Sequence, residues 1–214
     1  PADTEISNNR PFAIMINNIR VAQPQIGISK ADIIYEILVE GGITRMMAVF
    51  QDVTGAGEIG SIRSARPYFV DIALGHDALY IHAGGSPDAY SKLASTDIFH
   101  LDGVNGRKQD IFFRDPARKA TMGSVHSLVT TDELILKHVP TYNVVLEHPS
   151  GYACNMTFSD SAAPAGSIAA QTITAHFSSS KTTTFTYSAE SGTYDVSQYK
   201  AAYIDGNDQS KISV

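Results

Sequence analysis

The chain has 214 residues, of which 43% are apolar and 18% charged, and 16 Lys and Arg stand against 22 Asp and Glu for a formal charge of −6. This is enough apolar material for a folded core and too little charge for a disordered chain. The mild acidity argues against a general nucleic-acid binder, and no apolar run approaches the roughly 18 residues of a membrane-crossing helix.

The length allows one large domain or two small ones. The first residues, Pro1-Ala2-Asp3-Thr4-Glu5, carry neither a Met nor a charged-then-apolar leader and read as a processed or trimmed start. The single cysteine, Cys154, can form neither an internal disulfide nor a thiolate zinc site; with no cationic neighbour in sequence it reads as a small packed residue. All eight Arg lie between Arg10 and Arg118, whereas residues 157–197 hold 17 Ser or Thr and only four charges. Pro and Gly cluster at His148-Pro149-Ser150-Gly151, which divides a mixed α/β region, 1–149, from a β-rich region, 150–214, packed on the first.

In chain order, Phe12-Ala13-Ile14-Met15-Ile16 reads as a buried strand. Residues 32–40 and 44–52 flank Gly41-Gly42 and suggest a β-hairpin; Ile33, Ile34, Ile37 and Leu38 would also suit a helix face, but the β-branched content favours strands. Ser64-Ala65-Arg66-Pro67 predicts a helix start capped by Ser64 and running to Leu74, with Gly75 as the stop. Residues 79–83 read as a strand, Gly84-Gly85 as a turn, and Ser86-Pro87 as a capped helix start. Thr130-Thr131-Asp132-Glu133 fits a capping box for a third helix, closed by Pro140. In the C-terminal part, Ile173, Ala175 and Phe177, then Phe185 and Tyr187, then Tyr194 and Val196 alternate with polar residues. Ser191-Gly192 supplies a hairpin turn, and the Ser and Thr residues form a solvated sheet face.

The strongest chemical feature is Gly60-Ser61-Ile62-Arg63-Ser64-Ala65-Arg66-Pro67, with two arginines three apart at a predicted helix start. Unpaired N–H groups and guanidinium forks together suit an anion. The alternative is that Arg63 and Arg66 pair with the chain's own acids, Glu36, Glu40 or Asp71. On a strand, Glu36 and Glu40 stand roughly 13 Å apart, outside the roughly 5–9.5 Å of a glycosidase carboxylate pair. The seven histidines form no metal motif; His100 and Asp102 share a strand face, and His76, His82 and His126 could converge only in space. Helix capping explains Ser86, and the Gly-Gly turns lack the spacing of a phosphate loop.

Four stretches in order carry a family resemblance: Arg10-Pro11-Phe12-Ala13-Ile14-Met15-Ile16-Asn17-Asn18; Pro24-Gln25-Ile26-Gly27 with Ala31-Asp32-Ile33-Ile34-Tyr35-Glu36; Val39-Glu40-Gly41-Gly42-Ile43-Thr44-Arg45; and Ile62-Arg63-Ser64-Ala65-Arg66-Pro67-Tyr68-Phe69. The chain resembles the YerB-like family of bacterial lipoproteins, well over residues 10–89, loosely over 112–131, and again over 194–214. The resemblance implies an α+β fold in three layers, two β-sheets and a helical layer. It also implies export and a lipid anchor on a cysteine upstream of the folded part, mostly in Gram-positive bacteria, and it supplies no catalytic residues. Where the family carries Pro-His-Asn, this chain has Met122-Gly123-Ser124-Val125-His126-Ser127, and it stops at Val214 where the family continues into a further strand.

Together these readings predict an extracytoplasmic binding or interaction domain with no cofactor and no metal, anchored to the membrane by a lipid outside this chain. Its expected pocket is made of Arg63, Arg66, Arg45, Ser64, His82 and His126, with Glu36 and Glu40 orienting the arginines, and its partner is an anionic envelope component or an envelope protein. The rival expectations are a cell-wall hydrolase using His82, His126 or Asp71, and a protein-docking scaffold without a small-molecule site.

Overall fold

The computed structural model of the protein describes residues 8–106, 109–153, 156 and 166–214; Cys154 lies outside them. The strands are β1 (Phe12–Asn17), β2 (Ile33–Leu38), β3 (Thr44–Phe50), β4 (Glu58–Gly60), β5 (Leu79–His82), β6 (His100–Asp102), β7 (Phe113–Arg114), β8 (Leu128–Thr131), β9 (Thr172–His176), β10 (Thr182–Ser188), β11 (Thr193–Gln198) and β12 (Ala201–Ala202). The helices are α1 (Pro67–Gly75), α2 (Pro87–Ala94), α3 (Pro116–Met122) and α4 (Asp132–His138). Among the described residues the strands form a five-stranded sheet, β2-β3-β1-β5-β6, a four-stranded sheet, β12-β11-β10-β9, and a small sheet, β4-β8-β7. The α+β class and the β-rich C-terminal part agree with the sequence reading.

The five-stranded sheet is central because both its faces are apolar, as in a strand buried on two sides. Ala13, Met15, Met47, Val49 and Tyr80 point to one face, which Phe69, Val70 and Ala73 of α1 and Ala89 and Leu93 of α2 cover. Ile14, Ile16, Met46, Ala48, Phe50, Ile81 and Leu101 point to the other. That face is covered by Ile59 of β4, Leu128 of β8, Ile135 of α4, and, from the C-terminal part, Val196, Tyr203 and Ile212. One core thus joins the two regions of the chain.

The expected hairpin forms, with Ile33 opposite Val49 and Leu38 opposite Thr44. Its turn needs Gly41 and Gly42, both at φ 73°, where a side chain costs roughly 1–2 kcal/mol. Ser86 caps α2 as predicted, its hydroxyl accepting from the Ala89 N–H at 3.2 Å, with Pro87 in the first turn. The cap of α4 is Thr131 rather than Thr130, which is buried in β8, and the helix ends at His138, with Val139 and then Pro140 passing into a short 3-10 turn, as the sequence reading expects. Helix α3 was not anticipated; Asp115 caps it by accepting from the Ala117 and Arg118 N–H groups. Ile173 departs from the expected alternation: β9 is an edge strand reaching past the core, and Ile173 is 47% exposed.

Ser64 does not cap α1. The helix begins at Pro67, Arg66 occupies the cap position, and no side chain caps it. Residues 61–65 are extended because the sheet claims their backbone. β1 pairs with β5 only through Phe12, Ala13 and Ile14, and beyond that point the two diverge. The segment fills the gap: Asn17 N–H donates to Ser61 O at 2.9 Å, Arg63 N–H to Met15 O at 3.0 Å, Ala83 N–H to Arg63 O at 3.0 Å, and Ala65 N–H to Gly84 O at 2.9 Å.

A buried polar staple joins edge strand β2 to the C-terminal sheet. The Lys181 ammonium, 1% exposed, meets Glu36 Oε1 at 2.9 Å, Gln198 Oε1 at 2.7 Å and Thr183 Oγ1 at 3.0 Å. Glu36 also accepts from Asn18, Thr44 and Thr183. Removing one partner of such a pair strands the other charge. Lys181→Met is expected to cost about 3 kcal/mol in urea unfolding, with part of the loss recovered in the Glu36→Gln/Lys181→Met double variant.

Candidate functional site

The strands β1, β5 and β6 run parallel, and ligand sites in parallel sheets form where neighbouring connections part beyond the carboxyl ends of the strands. Here residues 61–65 separate β1 from the turn after β5, and a cleft of about 380 Å³ opens beside them. Its walls come from three chain segments: Arg63 and Ser64; Gly84 and Gly85 after β5 with Tyr90 of α2; and Val104 and Asn105 after β6. Arg114 of β7, Val125 and Leu128 close the fourth side.

Asp102, the last residue of β6, holds the cleft floor together. Its Oδ1 accepts from the Gly84 N–H at 2.7 Å and the Val104 N–H at 2.8 Å, and its Oδ2 accepts from the Tyr90 hydroxyl at 2.7 Å. Burial pushes its carboxyl up, but these hydrogen bonds outweigh that and bring it below the ordinary value. One carboxylate therefore fixes the two loops and the ring that face the cleft. Gly84, at φ 74°, makes the turn that brings its N–H to this carboxylate.

The arginines divide into two sets. Arg63 and Arg114 line the cleft. Arg63 Nη1 donates to Val125 O at 3.1 Å, and Arg114 Nη1 donates to Ser124 O. Among the described residues neither has a carboxylate within ion-pair distance. Burial, then the charge of Arg66, lowers the pKa of Arg63.

Arg66 and Arg45 stand outside the lining. Arg66 binds Glu40 through both Nε and Nη2 at 2.6 Å, and this pairing holds the Glu40 carboxyl down at about 2. Arg45 is buried and donates to Ser64 O at 2.6 Å, bracing the extended segment from beneath. Burial, followed by the charges of Arg66 and Arg63, brings its guanidinium down to about 10.

The expected site residues therefore come together only in part. Arg63 and Ser64 share the cleft, and Glu40 contacts Arg66 as its partner. Glu36 orients no arginine; it belongs to the Lys181 staple, because β2 presents it to the C-terminal sheet. His82 is fully buried on β5, with Nδ1 on Gly84 O at 2.8 Å and Nε2 on His100 Nδ1 at 3.0 Å, so both ring nitrogens are engaged. His126 ends the 3-10 turn Ser124–His126, and its Nδ1 accepts from Asn17 Nδ2 at 2.9 Å. Burial and the charges of Arg63 and Arg118 lower its pKa. Asp71 faces Lys92 at 2.6 Å on the helical layer. The residues that the sequence reading missed are Arg114, Tyr90, Asn105 and Asp102; only the strand pattern His100-Leu101-Asp102 pointed near them.

Burial holds His82 near 4, against an ordinary 6.5. The unfolded chain takes up this proton first, so the contribution to stability is intact above pH 6.5 and is lost as pH falls toward 4. The loss should reach about 3 kcal/mol below that window, and an NMR titration of the His82 ring should show it neutral at pH 5.5.

Residues 1–144 match the family described as "Protein of unknown function (DUF3048) N-terminal domain". Over 103 residues the chain is 41% identical to the Bacillus subtilis (strain 168) protein named "Putative lipoprotein YerB", an alignment covering 48% of this chain and 31% of that protein. The crystal structure of the YerB protein from Bacillus subtilis superimposes with a TM-score of 0.81 at 25% identity, over 100% of this chain and 69% of that one. The fold and this match over most of its length place the chain in the YerB-like family, whose N-terminal domain is the one described as DUF3048.

Proposed function

We propose that this chain is an extracytoplasmic, membrane-anchored binding domain of the bacterial cell envelope whose cleft accepts an anionic group on Arg63 and Arg114. The observation that carries this reading is the pair of guanidiniums in one cleft without a carboxylate partner among the described residues. Arginine presents a planar donor fork matched to carboxylate and phosphate, and a pair left unmatched by the protein's own acids favours an anion from outside. The location is supported by the lipoprotein name of the relative. Envelope components carrying phosphate or carboxylate groups, such as teichoic-acid or peptidoglycan fragments, are the fitting ligands.

Arg66 and Arg45 act here as supports: Arg66 anchors the start of α1 on Glu40, and Arg45 braces the Ser64 carbonyl. Within this reading a hydrolase is disfavoured, since Asp71, His82 and His126 each serve another partner and none lines the cleft. A docking role has one observation in its favour: Val104 and Val125, 53% and 58% exposed, stand among the lining residues.

A thermal-shift panel of phosphate, sulfate, citrate, muropeptides, teichoic-acid fragments and divalent metals tests the reading. A ligand at 100 times its Kd should stabilise by about 2.7 kcal/mol, a shift of several degrees. The shift is expected to vanish in Arg63→Ala and Arg114→Ala. Arg66→Ala should keep it and lower Tm by only a few degrees, since its partner Glu40 is largely exposed. Shifts with metals alone would favour an enzyme, and no shift with any compound would favour protein docking.

A further inference from the structure

We propose that the anion accepted by this cleft is a phosphoryl group esterified to a small polyol, the chemistry of glycerol phosphate. The inference rests on the anion-binding reading above and deepens it by naming the ligand class. Arg63 and Arg114 hold on to neighbouring carbonyls, Val125 O and Ser124 O, of the same 3-10 turn. Both forks are thereby tied to one turn at the wall of the cleft. Each fork spends one Nη group on that turn. The Arg63 Nε–H is buried and has no partner among the described residues, an unspent donor of a kind that folded proteins seldom tolerate.

One fork already satisfies a planar carboxylate through two parallel hydrogen bonds. Two forks lining one cleft offer more donors and more positive charge than a monocarboxylate can use. A tetrahedral phosphoryl group, with its oxygens spread in three dimensions, can accept from both. Asp102, at the floor of the cleft, does not compete, because its oxygens already accept from Gly84, Val104 and Tyr90.

The rest of the cleft suits what phosphate would be attached to. Ser64 supplies a hydroxyl and Asn105, whose Nδ2 also donates to the Tyr90 hydroxyl, an amide, and Val104 and Leu128 supply apolar wall. A short polyol, with hydroxyls on a hydrocarbon chain, presents complementary groups to both. This chemistry has two sources at a bacterial membrane: a soluble glycerol-phosphate polymer and the headgroup of phosphatidylglycerol.

Isothermal titration of the full chain with sn-glycerol 3-phosphate, inorganic phosphate, malate and lactate tests the assignment. Glycerol 3-phosphate is expected to bind at least tenfold more tightly than malate, its equal in charge, and more tightly than inorganic phosphate. Arg63→Gln and Arg114→Gln should each weaken it at least tenfold with circular dichroism unchanged, and Ser64→Ala should narrow its advantage over inorganic phosphate. Malate binding as tightly as glycerol 3-phosphate would overturn the phosphoryl assignment while leaving the anion pocket standing. Equal binding of inorganic phosphate would overturn the polyol part. Failure of every anion to bind would overturn the anion pocket itself. If the variants lose their fold, protection of Arg63 and Arg114 from phenylglyoxal by glycerol 3-phosphate but not by malate gives the same decision in the native chain. Co-sedimentation with phosphatidylglycerol rather than phosphatidylcholine vesicles, displaced by glycerol 3-phosphate, would identify the lipid headgroup. Binding to a glycerol-phosphate oligomer without vesicle binding would identify the polymer.

Discussion

β1 and β3 are apolar on both faces, and everything else in the fold answers that constraint. A sheet with one wet face would need a single covering layer; this one needs two. Helices α1 and α2 cover Ala13, Met15, Met47 and Tyr80. The opposite face, with Ile14, Ile16, Met46 and Ile81, requires the small sheet, α4 and residues as distant as Val196, Tyr203 and Ile212. The β-rich C-terminal part is thus a lid on the central sheet, and its own interior-facing residues are shared with the N-terminal core.

The same sheet generates the cleft. β1 and β5 share only three paired positions before they separate, and an extended segment carrying Arg63, Ser64 and Ala65 enters between them. Had residues 64–66 formed the first turn of α1, Arg63 and Arg66 would have lain on one helix end. As extended backbone, the segment sends its two arginines to different places, Arg63 into the cleft and Arg66 to Glu40.

Charge is distributed by the same logic. Buried or half-buried acids are committed, Glu36 to Lys181 and Asp102 to two backbone N–H groups and a tyrosine. Each of these commitments satisfies a carboxylate that would be costly to leave alone in the interior. Among the described residues Arg63 and Arg114, the two arginines of the cleft, have no carboxylate within ion-pair distance.

The sequence by itself determined the local elements. The continuous apolar run set β1, the Gly41-Gly42 turn set the hairpin, and Ser86-Pro87 set the start of α2, because each of these is decided within a few residues by dihedral preference, capping or apolar patterning. It also pointed to the arginine segment, since Arg63 and Arg66 are close in the chain. Only the tertiary structure decided which acids met which cations. Glu36 and Lys181 are 145 residues apart in number yet share a hydrogen bond, and Arg63 finds Arg114 through one turn held at residues 124–126. Such pairings depend on strand order and on which face each strand turns to the core, and no local pattern of residue types encodes either.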